Sequence, residues 1–185
     1  MITVTFGAVS DTGKLRSANE DSFLVGEHLL AVADGMGGHN AGEIASALAV
    51  QHLRRATVQQ IESPESFIKL ISTINAAIYT AATGTTEQRG MGTTLTAITV
   101  AGSTPSDERV VVVNVGDSRT YLVRHGELRQ VTVDHSYVQE LVSEGIISAE
   151  DARTHPRRNI VTRALGIDSR VIADSWILPI VDGDR

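Results

Sequence analysis

The order of elements along this 185-residue chain predicts an α+β domain, with helices packed on stacked antiparallel sheets. Three observations carry that reading. Short strand-like segments open the chain, two segments with helical periodicity follow, and strand-like runs return after Gly90.

The elements follow in order. Residues 2–9 alternate in polarity and read as a half-buried strand. Residues 22–26 and 29–33 are two further short strands, joined by a turn at Gly26-Glu27-His28. The second, Leu29 to Ala33, is a buried run that ends on Asp34, with the glycine-rich loop Gly35-Met36-Gly37-Gly38-His39 following at once. Residues 41–55 place Ile44, Ala45, Leu48, Ala49 and Leu53 at helical spacing, and Arg54-Arg55 suit the negative end of a helix. Ser63-Pro64 reads as a helix start, with Ser63 as N-cap. Phe67, Ile71, Ile74 and Ile78 then form one apolar stripe, and the two helices are expected to pair on a sheet. Residues 94–100 are rich in Thr, Ile and Val, and 109–115 are an apolar run with both faces buried. Residues 119–123 and 127–131 flank His125-Gly126 as a hairpin. Residues 136–165 break into short helical pieces, as in a flap beside the sheet, and 171–178 are a last strand.

Composition narrows the function. A chain this long with 42% hydrophobic residues can bury one sizeable core, so one domain over 1–185 is expected. A net charge of −6, from 16 basic and 22 acidic residues, argues against a general nucleic-acid binder and against docking on an anionic membrane. No apolar segment approaches the ~20 residues needed to cross a bilayer. The N-terminus lacks the pattern of a secretory signal, so a cytoplasmic setting is expected. The absence of cysteine excludes disulfides, thiolate zinc sites and a cysteine nucleophile.

Three acidic clusters fall at strand ends or turns: Asn19-Glu20-Asp21 after Arg16, Asp34-Gly35, and Gly116-Asp117-Ser118-Arg119. Hard cations prefer such oxygen donors. Asp-Gly alone is as readily a turn. The case for a metal or phosphate site rests on several acid-bearing turns after apolar strands, with an arginine nearby.

Six motifs occur in a fixed order: Arg16-x-x-Asn19-Glu20-Asp21-Ser22, Asp34-Gly35-Met36-Gly37-Gly38-His39, Met91-Gly92-Thr93-Thr94, Gly116-Asp117-Ser118-Arg119, Asp134-His135-Ser136 and Arg163-Ala164-Leu165-Gly166. Together they resemble the motifs of the bacterial metal-dependent (type 2C) serine/threonine protein phosphatases, from about Ser10 to the C-terminus. The resemblance implies an antiparallel β-sandwich flanked by helices, with two Mn²⁺ or Mg²⁺ ions, and a third in some members, at one end. It implies hydrolysis of phosphoserine and phosphothreonine by a metal-bound hydroxide. The substrates would be phosphoproteins, with a serine/threonine kinase and its targets as expected partners.

Matched position by position, Asp34 would bridge the metals and the Gly35 carbonyl would ligate one of them. Glu20 and Asp21 would hold metal-bound waters, Asp117 would bind the looser third ion, and Arg16 would grip the phosphate. Met91-Gly92-Thr93-Thr94 is expected to pack structurally behind the site, and His135 to fix the turn before the flap.

Two departures from the pattern carry expectations of their own. Met36 stands where eukaryotic members often have a histidine proposed as general acid, which leaves His39 as the nearest candidate in sequence. The family pattern continues, past the match to Gly183-Asp184-Arg185, into a strand with another Asp-Gly and then an Asp-Asn pair. The C-terminal strands and their ligands are therefore expected to be missing here, and the chain alone to turn over poorly. The alternative function is a catalytically impaired phosphatase-like module that binds phosphoproteins or regulates a partner.

Overall fold

Strands β1 (Asp21–Val25) and β2 (Leu29–Met36) show which way the sheet faces. Along β2, Leu29, Ala31 and Ala33 are buried, whereas Val32 and Asp34 on the other face are exposed. The computed structural model describes residues 4–14, 16–38, 41–102 and 108–185.

Helix α1 (Ala41–Arg54) packs on the buried face of β1 and β2 through Ala41, Ala45, Ala49 and Leu53. Small residues line that seam, so the helix approaches the sheet closely. Ile44, expected in the stripe, instead faces solvent and is 39% exposed. A single turn, α2 (Val58–Ile61), follows, held by a capping box between Thr57 and Gln60. Helix α3 (Pro64–Gly84) starts where the sequence placed it: the Ser63 hydroxyl accepts from the Ser66 amide. Its Phe67, Ile71, Ile74 and Ile78 are fully buried. Each such side chain contributes about 2 kcal/mol of transfer free energy.

Strands β3 (Gly92–Thr93), β4 (Leu95–Ala101) and β5 (Arg109–Val115) return the chain to the sheet. The hairpin β6 (Tyr121–Arg124) and β7 (Glu127–Gln130) turns through His125 and Gly126, both at positive φ (52° and 84°), as a tight two-residue loop requires. Short helices α4 (Tyr137–Ser143) and α5 (Ala149–Thr154) occupy residues 136–165, and β8 (Asp174–Pro179) is the last strand. The main sheet runs β1-β2-β4-β5-β8, every pair antiparallel, with β3 also paired to β2. Val111, Val113 and Val115 of β5 join the helix-side core, while Val112 and Asn114 are buried on the other face. Both faces of β5 are therefore covered, as its apolar run predicts.

Over the second face lies the β6–β7 hairpin, whose Thr120 hydroxyl meets that of Thr96 at 2.8 Å. Val123 exchanges backbone hydrogen bonds with Arg185, and Arg124 pairs with Asp184 at 2.7 Å. Asp184 also accepts the Val181 amide and donates its own amide to the Val181 carbonyl, closing a turn.

Two local expectations are corrected. Residues 4–9 form no strand, and residues 2–3 lie outside the described residues. Val4, Phe6 and Val9 are exposed, so their alternation finds no sheet to pair with. Strand β2 runs through Asp34 to Met36 rather than ending at Ala33, because Gly35 and Met36 pair with Thr93 and Gly92. Among the described residues, no helix is long and apolar enough to cross a membrane.

Candidate active site

The site begins with strand pairing. Asp21 is the register partner of Asp34, so both carboxyl groups project from the face opposite the helices. Burial, then the charge of Asp21 and its hydrogen bond, then the charge of Asp117, push the Asp34 carboxyl up to about 6; Arg16 pulls the other way. Asp21, Asp117 and Arg16 all bear on Asp34. Asp117 follows β5 in a turn, and its carboxyl is also raised, chiefly by burial and further by Asp134.

Gly35 explains why this strand end admits no side chain. A Cβ there would lie 2.1 Å from the Gly42 carbonyl oxygen and 2.6 Å from that of Glu20. The Gly35 amide donates to the Glu20 carbonyl, which the Ser46 hydroxyl of α1 also meets at 2.6 Å. Glu20 is thus fixed by its backbone, with its carboxyl group close to Gly42. Arg16 is exposed, and Met36 carries no proton to give. His39, named as the nearest candidate acid, lies outside the described residues.

Several residues that hold the site carry no metal-binding signature in the sequence. Thr93 and Thr94 grip the Asp34 peptide: the Thr94 amide and the Thr93 hydroxyl donate to its carbonyl, and the Thr94 hydroxyl accepts its amide. Arg119 and Asp134, each inside a motif, pair with one another through Nε and Nη2. That clamp holds the Arg119 guanidinium protonated, and its charge opposes the rise at Asp117. His135 does more than fix the turn before α4. Its Nδ1 accepts the Gly116 amide at 3.1 Å and its Nε2 lies 3.2 Å from Asp174, which also takes Arg163. Burial raises the Asp174 carboxyl, but the His135 and Arg163 hydrogen bonds outweigh it and leave the group below the ordinary range. The Thr-Thr pair was legible as part of a motif expected to pack behind the site, but not as the grip on the Asp34 peptide. The Arg119–Asp134 and His135–Asp174 contacts join positions far apart in the chain.

The donor set suits a hard divalent cation in kind: carboxylates and a backbone carbonyl, with an acid whose raised pKa a cation would reverse. It falls short in number. Among the described residues, no three acidic or histidine groups converge closely enough to hold an ion by themselves.

The site thus combines an antiparallel sheet, helices on one of its faces and the paired acids Asp21 and Asp34 on the other. The sequence profile of the family described as Protein phosphatase 2C matches residues 16–169. The chain is 43% identical over 188 residues to the serine/threonine phosphatase stp of Listeria monocytogenes, an alignment that takes in 95% of this chain and 72% of the relative. It superposes on the crystal structure of the Mycobacterium tuberculosis serine/threonine phosphatase PstP/Ppp with a TM-score of 0.84 at 41% identity, covering 95% of this chain and 73% of that one. A structure of the PstP catalytic domain in complex with two manganese ions aligns with a TM-score of 0.76 at 39% identity, over 95% and 72% of the two chains. The chain belongs to the protein phosphatase 2C family.

Proposed function

We propose that this chain hydrolyses phosphoserine and phosphothreonine in proteins, with Mn²⁺ or Mg²⁺ as the required ion. The observation that carries the reading is the register pairing of Asp21 with Asp34 on the open face of the sheet, in a member of this family. Asp34 and the Gly35 carbonyl would hold the principal ions, Asp117 a third, and Glu20 and Asp21 the surrounding waters. An Mn²⁺ or Mg²⁺ ion takes about six oxygen ligands and keeps several waters, so a protein contribution of a few oxygens is in keeping with either. When bound, such an ion supplies a Lewis acid, neutralises phosphate charge and makes water nucleophilic near neutral pH.

The chain's own residues do the rest. Arg16 binds two phosphoryl oxygens through its guanidinium fork and sets the phosphorus in line for attack by water. Water oxygen bonds to phosphorus, the phosphorus–oxygen bond to the serine or threonine breaks, and inorganic phosphate and a free hydroxyl leave. With no cysteine in the chain, no phosphocysteine can form. Residues 136–165 border the site as a flap and meet the flanking phosphopeptide. Targets of a serine/threonine kinase in the cytoplasm are the substrates this chemistry fits. Weak turnover of a phosphothreonine peptide in Mn²⁺ by this chain, as expected without the C-terminal ligands, and its abolition in Asp34→Asn are the test. Binding of the phosphopeptide with no turnover at any metal concentration would favour a non-catalytic module instead.

A further inference from the structure

Thr94 touches both halves of the proposed metal site, which β2 and the turn after β5 carry separately. Its hydroxyl accepts the Asp34 amide at 3.0 Å and lies 2.6 Å from the Ser118 hydroxyl, the residue after Asp117. Its amide donates to the Asp34 carbonyl at 2.9 Å, closing a two-way exchange with that residue. Gly116, before Asp117, packs directly on its side chain: a Cβ there would lie 2.6 Å from the Thr94 methyl. Gly116 is held from the other side by His135. Thr94 is itself 1% exposed, so it has little freedom to shift.

We infer that Thr94 is the positioning residue that sets the distance between the Asp34 and Asp117 carboxylates. Through that distance it sets how tightly the chain holds Mn²⁺. The inference rests on the reading that Asp34 and Asp117 hold neighbouring ions of one cluster, so that their separation governs how tightly the cluster is held. The hydroxyl does the coupling, since it alone reaches both the Asp34 backbone and Ser118. The methyl only fills the space against Gly116.

The experiment compares Mn²⁺ binding, by calorimetry and by loss of the free-ion electron paramagnetic resonance signal, in wild type, Thr94→Val, Thr94→Ser, Ser118→Ala and Asp34→Asn. Groups that orient metal ligands typically tune affinity about 10–100-fold. Thr94→Val and Ser118→Ala should each weaken Mn²⁺ about 10-fold, and Thr94→Ser should stay within about 3-fold of wild type. The double variant Thr94→Val/Ser118→Ala should be no weaker than the worse single one, because both break one link. A merely structural role would lower the thermal midpoint while leaving Mn²⁺ affinity unchanged. If Thr94→Val does not fold, Ser118→Ala and Thr94→Ser carry the comparison. Wild-type affinity in Ser118→Ala, alongside loss of binding in Asp34→Asn, overturns this inference and spares the metal site. Equal binding in Asp34→Asn and wild type overturns both.

Discussion

Asp21 and Asp34 stand opposite one another in the β1–β2 register, with their carboxyl groups side by side on the open face of the sheet. A register slip that separated them would turn Leu24 and Ala31 out of the core. Like charges placed directly across strands destabilise a sheet. A cation bound beside the pair would relieve that repulsion.

The first prediction concerns pH. Asp34 titrates at about 6 in the folded chain, against 3.8 for an ordinary aspartate. Between those values the folded state keeps a proton that the unfolded state has lost. Stability from this group is therefore present at the acid end and disappears as pH rises through about 6. Urea midpoints of the metal-free chain at about pH 4 and pH 7 should show that fall beyond the trend of Asp34→Asn. Saturating Mn²⁺ should abolish it.

Asp21→Asn should lower the Asp34 pKa, because it removes the second and third causes of the rise. It should not restore 3.8, since burial is the largest cause and stays. A carbon-13 NMR titration of the aspartate carboxyls checks this directly. An unchanged Asp34 would mean that the two groups do not interact.

Arg16→Ala should lower kcat/KM for a phosphothreonine peptide by roughly 10–100-fold, the range for one charge-assisted hydrogen-bonding group. Arg16→Lys should recover only part of that, because an ammonium cannot offer a planar fork. Steady-state kinetics at saturating Mn²⁺ separates this from a loss of metal, which would respond to added ion.

Gly35→Ala should prevent normal folding or cost at least about 3 kcal/mol, at the upper end of overpacking effects. The new Cβ meets backbone on two sides, from Gly42 and Glu20, and neither can rotate away. Thermal unfolding by circular dichroism measures the loss. A chain as stable as wild type would mean that α1 can slide off the sheet.

Asp134→Asn should destabilise the chain by about 2 kcal/mol, the scale of a charge-assisted hydrogen-bond pair with one partly exposed member. It should also lower the Asp117 carboxyl toward the ordinary range, because the charge of Asp134 helps to raise it. Denaturant midpoints and the same NMR titration read the two effects separately.

Local chemistry made much of this legible in the sequence. Ser63-Pro64 fixed the start of α3, and the spacing of Phe67, Ile71, Ile74 and Ile78 named its buried face. The valine run of β5 announced a strand covered on both sides. The alternation at residues 2–9 misled, because period-2 polarity names a strand only where another strand is free to pair with it. Ile44 misled for a related reason. Spacing marks a helix face, but Ile44 stands off the line of Ala41, Ala45, Ala49 and Leu53 that meets the sheet, and so it stays in solvent.

By itself, the sequence determined most of the order of elements, the buried face of α3 and the acidic residues worth suspecting, because these depend on neighbours a few positions away. Tertiary structure decided which groups meet. The pairing of Asp21 with Asp34, the grip of Thr94 on both Asp34 and Ser118, and the clamp of Arg119 on Asp134 each join residues from 13 to 60 positions apart. Such contacts follow from strand register and sheet order, which no local pattern encodes.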